Sequence, residues 1–250
     1  MTLHEAIHAM TQEILSVLAE NQPTLYLFGS VVLEDFQLGW SDIDIVVLTR
    51  RCIAAEQADA LVGLRQHMLE RCPSNPYFRL FEGGMLSAEA FFSGEKDTVV
   101  YWGTSGQRTT DRYALDSFAV AELLTQGVLL CGEDVRHRFT APTHAQFVAD
   151  IRCHYETIRQ HGTQGWGWLL DIARGLYTLQ HDRVIAKTRA GEWALENALC
   201  PVPEALARAV AVRKAPLAYA PRADYQAYAR QTGEAIQRFA DVLAQALGEA

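Results

Sequence analysis

Residues 25–49 read LYLFGSVVLEDFQLGWSDIDIVVLT. Two apolar runs of strand type, at 25–28 and 43–48, flank a segment expected to be a loop or a short helix. Gly29-Ser30 stands where the first run ends, and Asp42 and Asp44 alternate with Ile43 and Ile45 where the second begins. Residues two apart on a strand point to one side, so both carboxylates face the same way. Two like charges so placed repel each other unless a cation lies between them. Paired carboxylate oxygens suit a hard ion such as Mg²⁺, which arrives with substrate phosphates. Gly29 lets the backbone come close to a phosphate, and Ser30 offers donors where a helix is expected to start. The stretch predicts a metal–nucleotide site.

Around it, strands and helices alternate as far as about residue 142. Helices are expected at 3–18, 54–71 and 111–124, and strands at 77–86, 98–102 and 128–131. Glu82 lies inside the 77–86 strand, where a lone carboxylate among apolar residues must be solvated, paired or functional. On a strand beside the Asp pair it would sit near the metal and take a proton from an attacking hydroxyl. After Ala141-Pro142-Thr143 only helices are expected, at 145–160, 166–180, 188–199, 203–214 and 222–248. The fold class is therefore α/β with a mixed sheet over residues 1–142, followed by an all-helical bundle over 143–250.

Composition narrows the function classes. A net charge of −8 without any basic run disfavours long nucleic acids as partners and suits a cationic small molecule. No apolar run reaches membrane-spanning length, and MTLHEAIHAM reads as an amphipathic helix rather than a signal peptide, so a cytoplasmic protein is expected. The five cysteines are scattered and odd in number, which favours free thiols over a disulfide framework. His4-Glu5-Ala6-Ile7-His8 matches the zinc-protease signature in letters, but without a third ligand it reads as a plain helix face. Glu34 and Asp35 read as a solvated helix face.

The Gly-Ser, eleven residues, then Asp-x-Asp pattern between strands resembles the nucleotidyltransferase superfamily of polymerase β type. A second signature narrows the resemblance: DIARGLYTL at 171–179 and VIAKTRAGEWAL at 184–195. These segments look like the bacterial aminoglycoside (3'')(9) adenylyltransferases, which act on streptomycin and spectinomycin. The match is carried by Arg174, Tyr177, Lys187 thirteen residues after Arg174, and Trp193-Ala194.

That resemblance implies a nucleotidyltransferase domain followed by a helical domain, transferring AMP from ATP with Mg²⁺ to a hydroxyl of a small molecule such as an aminoglycoside antibiotic. Carried over residue by residue, Asp42 and Asp44 would hold the metal and Glu82 would be the general base. Gly29, Ser30, Ser41 and Asp116 would contact the nucleotide, and Arg174 and Lys187 its phosphates. Asp171, Trp102 and Tyr177 are the candidates for the acceptor, with Trp166 and Trp168 as further pocket walls. The acids which that family places ahead of the Arg-x-x-Tyr helix are Gln160 and Gln164 here, and a family Trp is Tyr155. A neutral amide does not pair with an ammonium as a carboxylate does. A monomer or weak dimer is expected. Adenylylation of a protein, as by antitoxins of this superfamily, and nucleotide binding without catalysis stay open as alternatives.

Overall fold

The computed structural model describes residues 1–103 and 106–248, which group into two compact units, Met1–Val32 with the described residues from Ser41 to Ala141, and Leu33–Trp40 with those from Pro142 on. The first unit opens on helix α1 (Leu3–Leu18), started by a capping box in which Thr2 Oγ1 accepts from Glu5 N and Glu5 Oε2 from Thr2 N. That bond occupies the glutamate of the HExxH letters, and His4 and His8 are exposed. There follow β1 (Thr24–Phe28), β2 (Ile43–Thr49), α2 (Ala55–Arg71), β3 (Phe81–Ser87), α3 (Ala88–Ser93), β4 (Val99–Gly103), β5 (Gly106–Thr110), α4 (Ser117–Thr125) and β6 (Val128–Cys131).

The six strands form one mixed sheet in the order β5-β4-β3-β2-β1-β6, with β2 and β3 parallel and the other neighbours antiparallel. Alternation divides its residues between two faces. Ile45, Val47, Met85, Val100 and Trp102 lie buried on the face toward α2, where Trp102 Nε1 donates to Leu61 O at 2.9 Å. On the other face, Tyr26, Phe28, Val46, Leu48, Leu86, Val99 and Leu123 form a core covered by Phe91 and Phe92 of α3 and Ala119 of α4. Asp44 and Glu82, paired in register, lie on this same face and are partly exposed.

Several expectations need correction. Residues 29–40 take the loop alternative and form turns, so Ser30 does not stand at a helix start. The 77–86 strand begins only at Phe81, after a single 3₁₀ turn over Phe78–Leu80. The 111–124 helix begins at Ser117 with Asp116 as its N-cap. Strand β5 and helix α3 went unpredicted: GQRTT is a polar edge strand without an apolar pattern, and AEAFFS is too short for helical periodicity to show.

The second unit contains α5 (His144–His161), α6 (Gly167–His181), α7 (Lys187–Glu196), α8 (Pro203–Lys214), α9 (Pro216–Tyr219), α10 (Ala223–Ala229) and α11 (Gly233–Leu247). Helix α6 packs against α5, α7, α8 and α11, and Leu169, Leu170, Ile172, Leu206, Phe239 and Leu243 fill the centre. The single helix expected over 222–248 is interrupted between α10 and α11. There Thr232 Oγ1 donates to Ala229 O at 2.8 Å and Gly165 O at 3.1 Å, turning the chain before Gly233. All five cysteines are free thiols, and among the described residues no helix is long and apolar enough to cross a membrane.

Candidate active site

In the first unit, the parallel register sets Asp44 directly beside Glu82 and Ile43 beside Phe81. Adjacent strands lie about 4.8 Å apart, so the side chains of Asp44 and Glu82 stand next to each other on the same face. Asp42 lies two residues before Asp44, immediately ahead of β2, and is likewise partly exposed. Gly29, at the end of β1, has a φ of +72° and lies so close to Asp44 that a Cβ there would collide with Asp44 Oδ2. Ser30 Oγ donates to Asp42 O at 3.2 Å, tying the glycine turn to the start of the acid strand. Ser41 is buried beside it. The structure thus brings Gly29, Ser30, Ser41, Asp42, Asp44 and Glu82 to one end of the sheet.

The donor set fits Mg²⁺, which typically takes one or two carboxylates and completes its shell with water and phosphate oxygens. Among the described residues no three His, Cys, Asp or Glu side chains converge into a ready-made metal cage, and an ion that arrives with a nucleotide needs none.

Two neighbours of the acids were not anticipated. The ring of Tyr113 covers Gly84, where any side chain would collide with it. Burial raises its phenol well above the ordinary 10.0, and Asp44, Tyr101, Asp116 and Glu82 add to the shift. Its hydroxyl therefore stays protonated as a donor among carboxylates. Arg65 of α2, 8% exposed, donates from Nη1 to Phe81 O at 2.6 Å. Burial lowers its pKa, and the charges of Glu82 and Asp42 act in the opposite direction. Neither residue carries a signal in sequence: Tyr113 lies in an irregular segment, and Arg65 reads as an ordinary helix charge.

Other candidates have different tasks. Trp102 is fully buried and hydrogen-bonded to the α2 backbone, so it belongs to the core and not to an acceptor pocket. Asp116 Oδ1 accepts Ala119 N at 2.8 Å as the cap of α4, while its charge still reaches Tyr113.

In the second unit, Asp171 lies on α6 and Lys187 is the first residue of α7. Lys187 Nζ meets Asp171 Oδ1 at 2.7 Å, and His154 Nε2 lies 3.6 Å from Asp171 Oδ2. Burial works to raise the Asp171 pKa, but Lys187, His154 and Arg174 together hold it far below the ordinary 3.8. Asp171, expected at the acceptor, is thus engaged by the cations of its own unit. Tyr177 packs edge-on against Trp193, with ring centroids 5.1 Å apart, and against His181 at 4.4 Å; it too has packing partners where an acceptor contact was expected. Trp166 is buried and stacks on Tyr228, whereas Trp168 is half-buried beside His154. Gln160 and Gln164 are exposed.

Asp35 overturns its expected solvated setting. It is 7% exposed, and its Oδ2 accepts from Arg213 Nη2 at 3.0 Å, Arg213 Nε at 3.3 Å and Thr188 N at 3.3 Å. Glu34, at φ +54°, makes the left-handed turn just before it.

Residues 143–246 match the family model of the aminoglycoside adenylyltransferase C-terminal domain. Over nearly its whole length the chain resembles a solved structure, the spectinomycin adenyltransferase AAD(9) from Enterococcus faecialis with ATP and spectinomycin. The TM-score is 0.66 at 14% sequence identity, over 97% of this chain and 99% of that one. No curated protein matches the sequence significantly. At such identity the likeness speaks for the fold. The chain therefore shares the fold of that spectinomycin adenyltransferase, and its residues 143–246 are similar to the C-terminal domain of aminoglycoside adenylyltransferases.

Proposed function

We propose that this protein transfers AMP from ATP to a hydroxyl of an aminoglycoside-class antibiotic, with spectinomycin the first acceptor to test. One observation carries the reading: Asp44 and Glu82 share one partly exposed sheet face, with Asp42 two residues ahead, beside a glycine turn with no room for a side chain. The family match of residues 143–246 and the fold shared with the spectinomycin enzyme support the same chemistry.

Asp42 and Asp44 would hold Mg²⁺, which supplies neutralisation of phosphate charge when bound. Gly29 and Ser30 border the triphosphate, the glycine by leaving the backbone bare. Glu82 accepts the proton of the acceptor hydroxyl as its oxygen forms a bond to the α-phosphorus and the bond to pyrophosphate breaks. Tyr113 is the neutral donor beside the acids. On the helical unit Arg174 and Lys187 are the proposed phosphate ligands, and Asp171 orients Lys187. Most of the acceleration comes from positioning and fixed charge, so few reactive groups are needed.

The test is pyrophosphate release from ATP and Mg²⁺ with spectinomycin, streptomycin and other aminoglycosides, with AMP transfer to the drug read by mass spectrometry. Transfer to one of them that Asp42→Asn abolishes is expected. Wild-type protein that modifies none of the panel overturns the acceptor class.

A further inference from the structure

Helix α2 presents Leu61, Leu64 and Met68 to the interior, and between them it buries a guanidinium. Arg65 Nη1 donates to Phe81 O at 2.6 Å and Nη2 to Gly103 O at 3.4 Å. Gln107, with its amide oxygen turned toward the guanidinium, accepts from Nε and from Nη2 at 2.7 Å. Its three acceptors stand on β3, β4 and β5, and Phe81 is the residue immediately before Glu82. Burying a cation against neutral oxygens is costly, and an aliphatic side chain would fill the same helix position with less penalty. The carboxylates whose charges act on Arg65 are Glu82 and Asp42.

We propose that Arg65 is a positioning residue of the acid site, clamping the peptide that carries Glu82 to β4 and β5 and setting a permanent positive charge beside Glu82 and Asp42. The proposal rests on the reading of Asp42 and Asp44 as the metal-holding pair. The planar fork explains why arginine serves: three acceptors on separate strands are reached from one rigid group. The fixed charge opposes a divalent ion in the empty protein, so that metal loads with the nucleotide, whose phosphates outweigh the repulsion.

Mn²⁺ is the probe, titrated into folded, nucleotide-free protein and into the ATP-bound protein. Arg65→Met is expected to tighten Mn²⁺ binding to the nucleotide-free protein by about three- to tenfold, the scale of one charge removed roughly 10 Å from a divalent ion at a dielectric near that of water. A residue with only a structural role would leave that affinity unchanged or weaken it. Arg65→Lys keeps the charge and loses the fork; its Mn²⁺ affinity is expected to stay within about twofold while kcat falls about tenfold at unchanged KM for ATP.

Mn²⁺ affinity that is unmoved or weakened in folded Arg65→Met overturns the charge role, and wild-type kcat in Arg65→Lys overturns the clamp. If Arg65→Met does not fold, the kcat and KM of Arg65→Lys decide alone. Wild-type protein that binds no Mn²⁺ with or without ATP overturns the metal-site reading and this proposal together. Wild-type binding that Asp44→Asn abolishes and Arg65→Met leaves unmoved overturns the proposal alone.

Discussion

Arg213 and Asp35, 178 residues apart in the chain, form a buried ion pair with 4% and 9% of their side chains exposed. Arg213 also donates from Nη2 to Asp35 O at 3.0 Å, and its guanidinium lies 5.6 Å from the ring centroid of Trp40. The segment Leu33–Trp40, which interrupts the Gly-Ser…Asp-x-Asp motif, is thereby fastened to α8, and through Thr188 N to the first turn of α7. Removing one partner leaves a charge buried with no counterpart. Arg213→Met is expected to cost about 3–5 kcal/mol of stability, and the double replacement with Asp35→Leu less than the sum of the singles. Urea denaturation of the four proteins checks this; additive losses would show that the pair is not coupled.

Asp171 makes stability depend on pH. Its carboxyl is depressed below the ordinary 3.8 in the folded protein. The resulting stabilisation is fully present above the unfolded value, near 4, and is lost as pH falls through the lower folded value. At neutral pH, Asp171→Asn should lower stability by about 1–3 kcal/mol, because Lys187 loses a charged acceptor. The gap between wild type and variant should narrow as pH drops below about 4, in thermal melts of both proteins across pH 3–7. A gap of constant size would contradict the depressed carboxyl.

For the reaction, Glu82→Gln keeps shape and removes the base. The expected loss in kcat is about 10²- to 10⁴-fold with KM for ATP little changed. Asp44→Asn should instead abolish nucleotide-dependent Mn²⁺ binding while the melting temperature is preserved. A Glu82→Gln enzyme within a fewfold of wild type would move the base elsewhere, and Tyr113 is no substitute because burial and the surrounding acids keep its phenol protonated.

Gly29 tests the closeness of the turn to the metal pair. Gly29→Ala meets two obstacles at once, a φ of +72° and the Asp44 carboxylate in the space of the new Cβ. The backbone conformation alone should cost about 1–3 kcal/mol. Displacement of Asp44 should reduce transfer well beyond that, so activity per folded molecule falls sharply. Unchanged specific activity at reduced stability would separate the turn from the site.

How far the chain could be read from its letters varied with the kind of signal. Alternation along the motif set Asp44 on the face it shares with Glu82, and the strand context of Glu82 marked it as a third acid; both are local patterns. Periodicity found α1, α2 and most helices of the second unit. It overran the gap between α10 and α11, because the break there comes from Thr232 bonding Gly165, a partner 67 residues away. It also passed over β5, a polar edge strand held by backbone pairing to β4.

Legible in the letters alone were most of the strands and helices, the strand setting of Asp44 and Glu82, and the two signatures that resemble adenylyltransferases. These depend on residues within a few positions of each other, where spacing dictates direction. What the other charges do depends on packing between distant parts of the chain. Asp171 holds Lys187, Asp35 is buried against Arg213, Trp102 is core, and Arg65 stands beneath the acids. A charged or aromatic side chain carries no mark of its partner in its own neighbourhood. Burial makes pairing obligatory, and which groups are buried together is set by the packing of helices and strands far apart in the chain.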